Sequence, residues 1–342
     1  MKFYNSGFYE VARVRHSVPL FRFKADKDIS QWQRDGRERL AHLLGLPLQG
    51  CENELKVIFT RNHESFVEHR LELETEEGYF VQSYLLVPRD EREIHGLCFC
   101  FGGHGSNIHI TAGLPENDLN RVGGEINVLE DKRILSENPE LDIAAYALRS
   151  GRAALVIESR AFGEAGDDAP SCTENAKAAL LMGRTLMGER VHDAICMLDA
   201  VLDYFTIDRS DIIATGYSGG GSLAFYLACL DERISVCAPS SAFCSYEKSI
   251  VQISHCLCNH IPGIRRDFEM GDLAGLIYPR TLIVAAGESD GIFPIDGVKD
   301  AYCLAKELYF KSAEERIILL SSDLGHLYYA DLIWDFINNK NK

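Results

Sequence analysis

The sequence lacks the segments that would place a protein in or across a membrane. The first ten residues hold no apolar core followed by a cleavage site, and the 342-residue chain has no apolar run that could span a bilayer. There are 35 basic residues against 51 acidic ones, a formal net charge of −16, so a nucleic acid or an anionic membrane would meet net repulsion. We therefore expect a cytoplasmic protein with no nucleic-acid or membrane partner.

Recognisable cysteine patterns are missing as well. The 11 cysteines are odd in number and scattered, and several lie in apolar stretches, as small buried thiols do in a reducing compartment. The densest cluster, residues 255–260, reads His-Cys-Leu-Cys-Asn-His, which are residue types that bind metals. Its spacing matches none of the common zinc patterns, and no second pair of ligands lies nearby in the sequence. We predict no metal and no organic cofactor.

The apolar patterns that are present change along the chain, without repeats or low-complexity tracts. Residues 1–50 are predicted to form an arm and one amphipathic helix, 28–44, which pack on the body. Alternating segments at 55–59, 67–74 and 79–87 predict an antiparallel meander. Six continuous apolar runs follow, separated by helix-sized segments. The runs are Leu97–Phe101, Ala153–Ile157, Ile212–Thr215, Ile234–Ala238, Thr281–Ala286 and Ile317–Leu320, and the predicted crossover helices are 142–150, 173–205, 220–229, 297–310 and 327–338.

Continuous apolar runs are typical of parallel strands that are covered on both faces. Residues 51–342 are therefore predicted to form a single α/β domain. Its mostly parallel sheet has about eight strands, with helices on both faces. One connection is far longer than a usual strand-to-helix loop, an insertion at about 106–141. A lid beside the site and a surface insertion are both compatible with its polar composition.

One predicted strand ends in a serine between glycines, in the order Gly216-Tyr217-Ser218-Gly219-Gly220. A strand that turns directly into a helix forces its apex residue into a strained conformation and exposes that side chain at the positive end of the helix dipole. Glycine turns that only bind or pack are also common. The pattern gains weight when an acid and a histidine follow in the expected chain order.

Such an acid and histidine do follow, each just after a predicted strand of the same sheet. A serine hydroxyl needs an imidazole to take its proton, and the imidazole needs a carboxylate to fix its tautomer. Ser218, Asp290 and His326 supply these groups in the order Ser, Asp, His. Glu288 and Asp323 are alternative acids, but we prefer Asp290 because it lies at the apex of its loop.

Other candidates stand at the same carboxyl edge of the predicted sheet, where active sites of such sheets gather. The backbone N–H groups of Gly219 and His104 are the candidate oxyanion donors. The candidate substrate-binding residues are Gly103, Tyr217, Glu158 and Arg160. The side chain of His104 either lines the pocket or points to solvent.

With these residues the chain resembles the α/β-hydrolase fold, and within it the dienelactone hydrolase and acetyl xylan esterase-like serine esterases. The resemblance covers roughly residues 28–338. It rests on the segments Phe101–Gly105, Glu158–Gly163, Gly183–Gly188, Gly216–Gly220 and Gly287–Asp290. Members of this group commonly have histidine at the position of Gly102 and aspartate at that of Glu158. Dienelactone hydrolases proper use a cysteine nucleophile, and Ser218 argues against that activity.

The resemblance implies a serine hydrolase that cleaves a short-chain carboxylic ester, above all an acetyl ester, with sugars among the candidate alcohols. The expected partner is a small-molecule ester. A serine peptidase acting on short peptides and a hydrolase fold that has lost catalysis and serves as a binding protein remain alternatives. Whether the chain forms a homo-oligomer stays open.

Overall fold

One mixed sheet runs through the described residues of this computed structural model, which are 5–23, 28–51, 54–89, 96–114, 143–163, 170–309 and 313–340. Its strands are β1 (Lys56–Asn62), β2 (Phe66–Glu76), β3 (Tyr79–Pro88), β4 (Leu97–Phe101), β5 (Ala153–Ile157), β6 (Ile212–Tyr217), β7 (Val236–Ser240), β8 (Thr281–Gly287) and β9 (Ile317–Ser322). Their spatial order is β1-β2-β3-β5-β4-β6-β7-β8-β9.

The pairing of neighbouring strands changes once across this sheet, from antiparallel to parallel. β1, β2 and β3 form an antiparallel meander, and β3 is also antiparallel to β5. The remaining neighbours, from β5 and β4 to β9, are all parallel. The predicted mostly parallel sheet with an N-terminal meander is thus confirmed, with nine strands rather than about eight.

Helices cover both faces of the sheet. They are α1 (Ser6–His16), α2 (Ile29–Leu44), α3 (Ile108–Ala112), α4 (Ile143–Arg149), α5 (Cys172–Leu181), α6 (Leu186–Tyr204), α7 (Gly219–Leu230), α8 (Ile264–Asp267), α9 (Met270–Leu273), α10 (Ile295–Tyr309) and α11 (Ala330–Lys340). Phe99 and Phe101 of β4 pack in the core with α2, α6, α7 and α10, whereas Cys98 and Cys100 pack in the core with α3, α4 and α11. Because successive side chains of a strand alternate between faces, β4 is apolar throughout.

Two helical regions differ from the prediction. The N-terminal arm contains a regular helix, α1, whose first N–H groups are capped by the side chain of Asn5. The segment 173–205, predicted as one crossover helix, holds the two helices α5 and α6. Gly183 between them has a φ of +73°, which ends α5, and the Thr185 hydroxyl accepts a hydrogen bond from Gly188 N–H and starts α6.

The insertion predicted at 106–141 lies only partly in the described residues. Its first part forms the short helix α3, capped by the Asn107 side chain, and residues 115–142 lie outside the described part of the chain. The two readings of this insertion, a lid beside the site and a surface insertion, both stay predictions. Among the described helices, none combines the length and the apolar composition that a bilayer crossing requires.

Candidate active site

The turn between β6 and α7 has the strained geometry expected at its serine. Ser218 has a φ of +54°, in the region that side chains rarely adopt, and it is the residue just before α7. A side-chain carbon at Gly220 would lie 2.3 Å from the carbonyl oxygens of Phe101 and Gly102, and one at Gly216 would lie 2.5 Å from Gly220 itself. Only glycine permits these approaches, so the two glycines let α7 turn back directly over β4.

His326 and Asp290 form a hydrogen-bonded pair in which the carboxylate is buried and the imidazole is partly exposed. Nδ1 of His326 lies 2.8 Å from Oδ2 of Asp290, and Asp290 is 5% exposed. The other carboxylate oxygen accepts hydrogen bonds from the N–H groups of Ile292, at 2.7 Å, and Phe293, at 2.9 Å. Burial raises the pKa of Asp290, but the hydrogen bonds from His326 and the two N–H groups outweigh it and hold the pKa below its usual range. Asp290 is therefore ionised and fixed toward the imidazole.

Contacts with neighbouring strand ends bring His326 to the serine turn. The Tyr217 hydroxyl donates to the His326 carbonyl at 3.0 Å, and the two rings lie 5.0 Å apart. The Ser240 carbonyl accepts from Ser218 N–H at 3.0 Å, and the Ser240 hydroxyl donates to the carbonyl of Leu327 at 3.0 Å. Parallel strands that end together place these groups at one edge.

The hydrogen bond that would join Ser218 Oγ to His326 Nε2 is not made in this structure. Among the described residues, neither Ser218 Oγ nor His326 Nε2 makes a hydrogen bond. Catalytic hydrogen bonds are often long in the absence of substrate and tighten in the complex, so this geometry is compatible with a nucleophile and its base. The roles of Ser218, His326 and Asp290 stay predictions.

The glycine loop after β4 lies against the serine turn, as the oxyanion prediction requires. Gly219 is the first residue of α7, where an N–H group has no acceptor within the helix. A side-chain carbon at Gly219 would lie 2.8 Å from Nδ1 of His104 and 3.1 Å from the Phe162 ring. A side-chain carbon at Gly103 would likewise lie 2.7 Å from the Tyr217 ring. Both predicted oxyanion residues therefore belong to segments in contact.

The glycine at 102 has a packing reason. A side-chain carbon there would lie 2.5 Å from the Thr111 hydroxyl and 2.7 Å from the Ser106 hydroxyl. These two hydroxyls are 3.0 Å apart and hydrogen-bonded to each other. The hydroxyls of Ser106, just before α3, and Thr111, within α3, thus fill the space that a side chain at Gly102 would need.

Glu158 supports the loops around the site. Its Oε2 accepts a hydrogen bond from Ile108 N–H, the first residue of α3, at 3.2 Å. A side-chain carbon at Gly163, which has a φ of +68°, would lie 2.3 Å from the carboxylate. The carboxylate is therefore packed between α3 and its own loop, and a role in substrate binding stays a prediction.

Arg160 is held in a network of acidic side chains. Its Nε and Nη2 donate to the two carboxylate oxygens of Asp193, both at 2.7 Å, and its Nη1 lies 2.8 Å from Glu76 and 3.5 Å from Glu189. The guanidinium also lies 4.0 Å from the centre of the Tyr79 ring. Burial lowers its pKa, but the bonds to Asp193 outweigh burial and raise it. These contacts account for its position without a substrate.

We expect Arg160→Met to lower the free energy of unfolding by about 3 to 5 kcal/mol, because it leaves the buried carboxylate of Asp193 without its cation. Urea unfolding measures this. Arg13→Met is the control, since the Arg13–Glu10 pair is 63% and 60% exposed and should contribute less than about 1 kcal/mol. An unchanged stability together with a raised KM would instead identify Arg160 as a substrate-binding residue.

A cluster that the sequence did not reveal lies beside the glycine loop. Nε2 of His104 and the Sγ atoms of Cys172, Cys256 and Cys258 all lie within 4.8 Å of one another; we call these four residues the Cys3His cluster. Hydrogen bonding with Cys172 and Cys258 lowers the pKa of the Cys256 thiol. The prediction of no metal site assumed that the cysteines near 256 have no second pair of ligands. The fold supplies that pair: His104 precedes Cys258 by 154 residues, and Cys172 precedes Cys256 by 84 residues.

Comparisons with known proteins agree with this architecture. YtaP of Bacillus subtilis strain 168, named "Putative hydrolase YtaP", is 29% identical over 154 residues, which is 43% of this chain and 50% of YtaP. The match thus spans about half the length of that relative.

Two solved structures share the fold over nearly the whole chain. A "putative acetyl xylan esterase (BF1801)" from Bacteroides fragilis superimposes with a TM-score of 0.79 at 16% identity, covering 99% of this chain and 96% of that one. A glucuronoyl esterase from Solibacter usitatus gives a TM-score of 0.64 at 12% identity, and the match covers 95% of this chain and 96% of that one. At these identities the likeness shows the fold alone.

A family model that matches most of the chain shows the family to which the protein belongs. The model of the Abhydrolase family matches residues 11–310, which include Ser218, Asp290 and the parallel sheet up to β8. This agrees with the sheet order, the strained serine turn and the chain order of the candidate residues. The protein therefore belongs to the Abhydrolase family and has the α/β-hydrolase fold.

Proposed function

We propose that this protein is a serine esterase that removes short acyl groups, acetyl above all, from carbohydrate esters. The observation that carries the proposal is the aligned His326–Asp290 pair, 2.8 Å between Nδ1 and Oδ2, at the same sheet edge as the strained Ser218. A carboxylate-oriented imidazole beside a serine at a helix amino end is the arrangement that activates a hydroxyl for acyl transfer.

The proposed reaction has two halves. His326 Nε2 takes the proton of Ser218 as Oγ attacks the ester carbonyl, and Asp290 stabilises the imidazolium that forms. The N–H groups of Gly219 and His104 bind the oxyanion, each lowering the barrier by about 2.7 to 4 kcal/mol. His326 then protonates the leaving alcohol, which leaves an acyl-enzyme on Ser218. Water, deprotonated by His326, releases the acid and restores the hydroxyl.

The substrate class draws support from two sources. The similar solved structures are named as an acetyl xylan esterase and a glucuronoyl esterase, and both names describe esters of sugars. Between these, an acetylated neutral sugar is favoured here. Arg160, the cation predicted at this edge, is already paired with Asp193 and Glu76, so it is not available to bind the carboxylate that cleavage of a glucuronate ester would release. The chain's formal charge of −16 likewise disfavours that anionic product.

A substrate panel tests the proposal. We expect acetate release from acetylated xylo-oligosaccharides and p-nitrophenyl acetate, with rates that fall as the acyl chain lengthens. A preference for alkyl glucuronate esters would overturn the acetyl assignment. Cleavage confined to amino-acyl amides would identify a peptidase. A protein that neither hydrolyses any of these compounds nor reacts with a fluorophosphonate would be a binding protein.

A further inference from the structure

The Cys3His cluster joins three segments that are distant in sequence. His104 lies in the glycine loop after β4, Cys172 is the first residue of α5, and Cys256 and Cys258 flank the start of a 3₁₀ turn at Leu257–Asn259. We propose that His104, Cys172, Cys256 and Cys258 form a structural zinc site that clamps these segments beside the serine turn. This inference does not rest on the esterase function proposed above.

Three distances between the ligand atoms are close to those of one tetrahedral centre, and all four atoms lie within 4.8 Å of one another. With metal bonds of about 2.3 Å to sulfur and about 2.0 Å to nitrogen, a tetrahedral site separates two sulfurs by about 3.8 Å and a sulfur from a nitrogen by about 3.5 Å. Here Cys172 Sγ and Cys256 Sγ are 3.4 Å apart, and His104 Nε2 lies 3.2 Å from Cys258 Sγ and 3.6 Å from Cys172 Sγ. Small shifts suffice for coordination.

The charges around the cluster fit a thiolate site. Three thiolates and a neutral imidazole around Zn²⁺ carry one net negative charge. Arg190, which is 1% exposed, donates from Nη2 to Cys172 Sγ at 3.3 Å. Among the described residues it has no carboxylate partner, which is rare for a buried arginine. Its charge would balance the cluster, and the Asn259 amide donates to Cys258 Sγ at 3.6 Å as a further support.

The residue types point to zinc and to a structural role. Thiolate and imidazole ligands in tetrahedral array select Zn²⁺ among common divalent cations, and four protein ligands leave no open position for a substrate. A disulfide is the main alternative for Cys172 and Cys256. It would need an S–S distance of about 2.05 Å, and it would leave His104 and Cys258 unexplained.

The site would position the loop that carries the predicted oxyanion donor. His104 follows Gly103 directly, and its ring touches the position of Gly219. A metal held by the His104 side chain would therefore fix the backbone of that loop against α7. His104 would act through its backbone N–H in the ester reaction and through its ring in the zinc site.

Metal analysis of the whole chain tests this. Protein purified without chelators and dialysed with zinc is expected to hold about one Zn²⁺ per chain by plasma mass spectrometry. With a competing chelator, Cys256→Ser and Cys258→Ser should each reduce the bound zinc at least about tenfold, since even outer-shell changes cost 10-fold or more. Cys303→Ser, at an exposed cysteine of α10, is the matched control and should retain its zinc.

A spectroscopic measurement on the unmodified protein covers the case in which the serine variants do not fold. Replacement of zinc by Co²⁺ should produce thiolate-to-metal charge-transfer bands and the visible bands of tetrahedral cobalt. The absence of both bands would overturn the proposal. So would equal zinc loss in Cys303→Ser, or a Cys172–Cys256 disulfide in peptide mapping of the purified protein. None of these readouts depends on esterase activity.

Discussion

Ser218→Ala is expected to abolish ester hydrolysis while leaving the fold intact. Removing the nucleophile of a serine hydrolase lowers kcat by roughly 10⁴ to 10⁶-fold. Ser218 Oγ makes no hydrogen bond with the described residues, so its removal leaves no buried group unpaired. We therefore expect the free energy of unfolding to change by less than about 1 kcal/mol. Turnover of p-nitrophenyl acetate and urea unfolding measure the two effects.

Ser222→Ala is the matched control for this change. Ser222 lies one turn further along α7 and is buried to a similar extent, 5% against 8% exposed. The Ser222→Ala variant should keep wild-type turnover. A fluorophosphonate should label this variant at Ser218, as it labels the wild type. The Ser218→Ala variant should stay unlabelled. Equal turnover by Ser218→Ala and the wild type would remove Ser218 from the mechanism.

Asp290→Asn is expected to lower kcat by about 10³ to 10⁴-fold with little change in structure. The asparagine oxygen can still accept hydrogen bonds from Ile292 and Phe293, which now go to Asp290 Oδ1. That leaves an amide NH₂ facing Nδ1 of His326. Two donors repel, so the imidazole would hold its proton on Nε2, where it cannot act as the base for Ser218.

The rival acids supply the controls. Glu288 accepts a hydrogen bond from Ser321 at 3.2 Å, and Asp323 accepts one from Ser322 at 3.3 Å, both near the surface. Neither is bonded to His326. Glu288→Gln and Asp323→Asn are therefore expected to change kcat by less than about tenfold. A larger loss in either variant than in Asp290→Asn would reassign the acid.

Asp290→Asn should also change how the free energy of unfolding depends on pH. The pKa of Asp290 is lowered by folding, so its ionised form stabilises the native state above the unfolded value of about 3.9, and that contribution is lost as pH falls through the lower folded value. The stability gap between wild type and Asp290→Asn should therefore be constant near neutral pH and close at acid pH. Urea unfolding at about pH 6 and about pH 3 measures it. A gap that is the same at both would contradict this electrostatic account.

Much of the fold could be predicted from the sequence because its signals are local. The β4 and β5 boundaries coincide with the predicted runs, since strands buried on both faces must be apolar throughout. The break between α5 and α6 was missed, although Gly183 and Thr185 are ordinary stop and start signals, because the apolar pattern continues across them.

The site residues show the same difference between local signals, which the sequence displays, and long-range contacts, which it does not. The strained turn at Ser218 follows from its two flanking glycines, which the sequence displays directly. The partners of Arg160 could not be predicted, because Glu76 and Asp193 come from a strand of the meander and from α6. A charged residue after a strand looks the same in sequence whether it faces a substrate or a buried carboxylate.

The sequence by itself determined which polar residues follow each apolar run. It also determined that serine, acid and histidine come in the chain order of an α/β-hydrolase. Only the tertiary structure decided which groups meet. It paired His326 with Asp290, enclosed Arg160 among acids, and gathered His104 with three cysteines. The physical reason is that periodicity and turn signals act over a few residues, whereas contacts between distant segments depend on how helices and loops pack over the sheet edge.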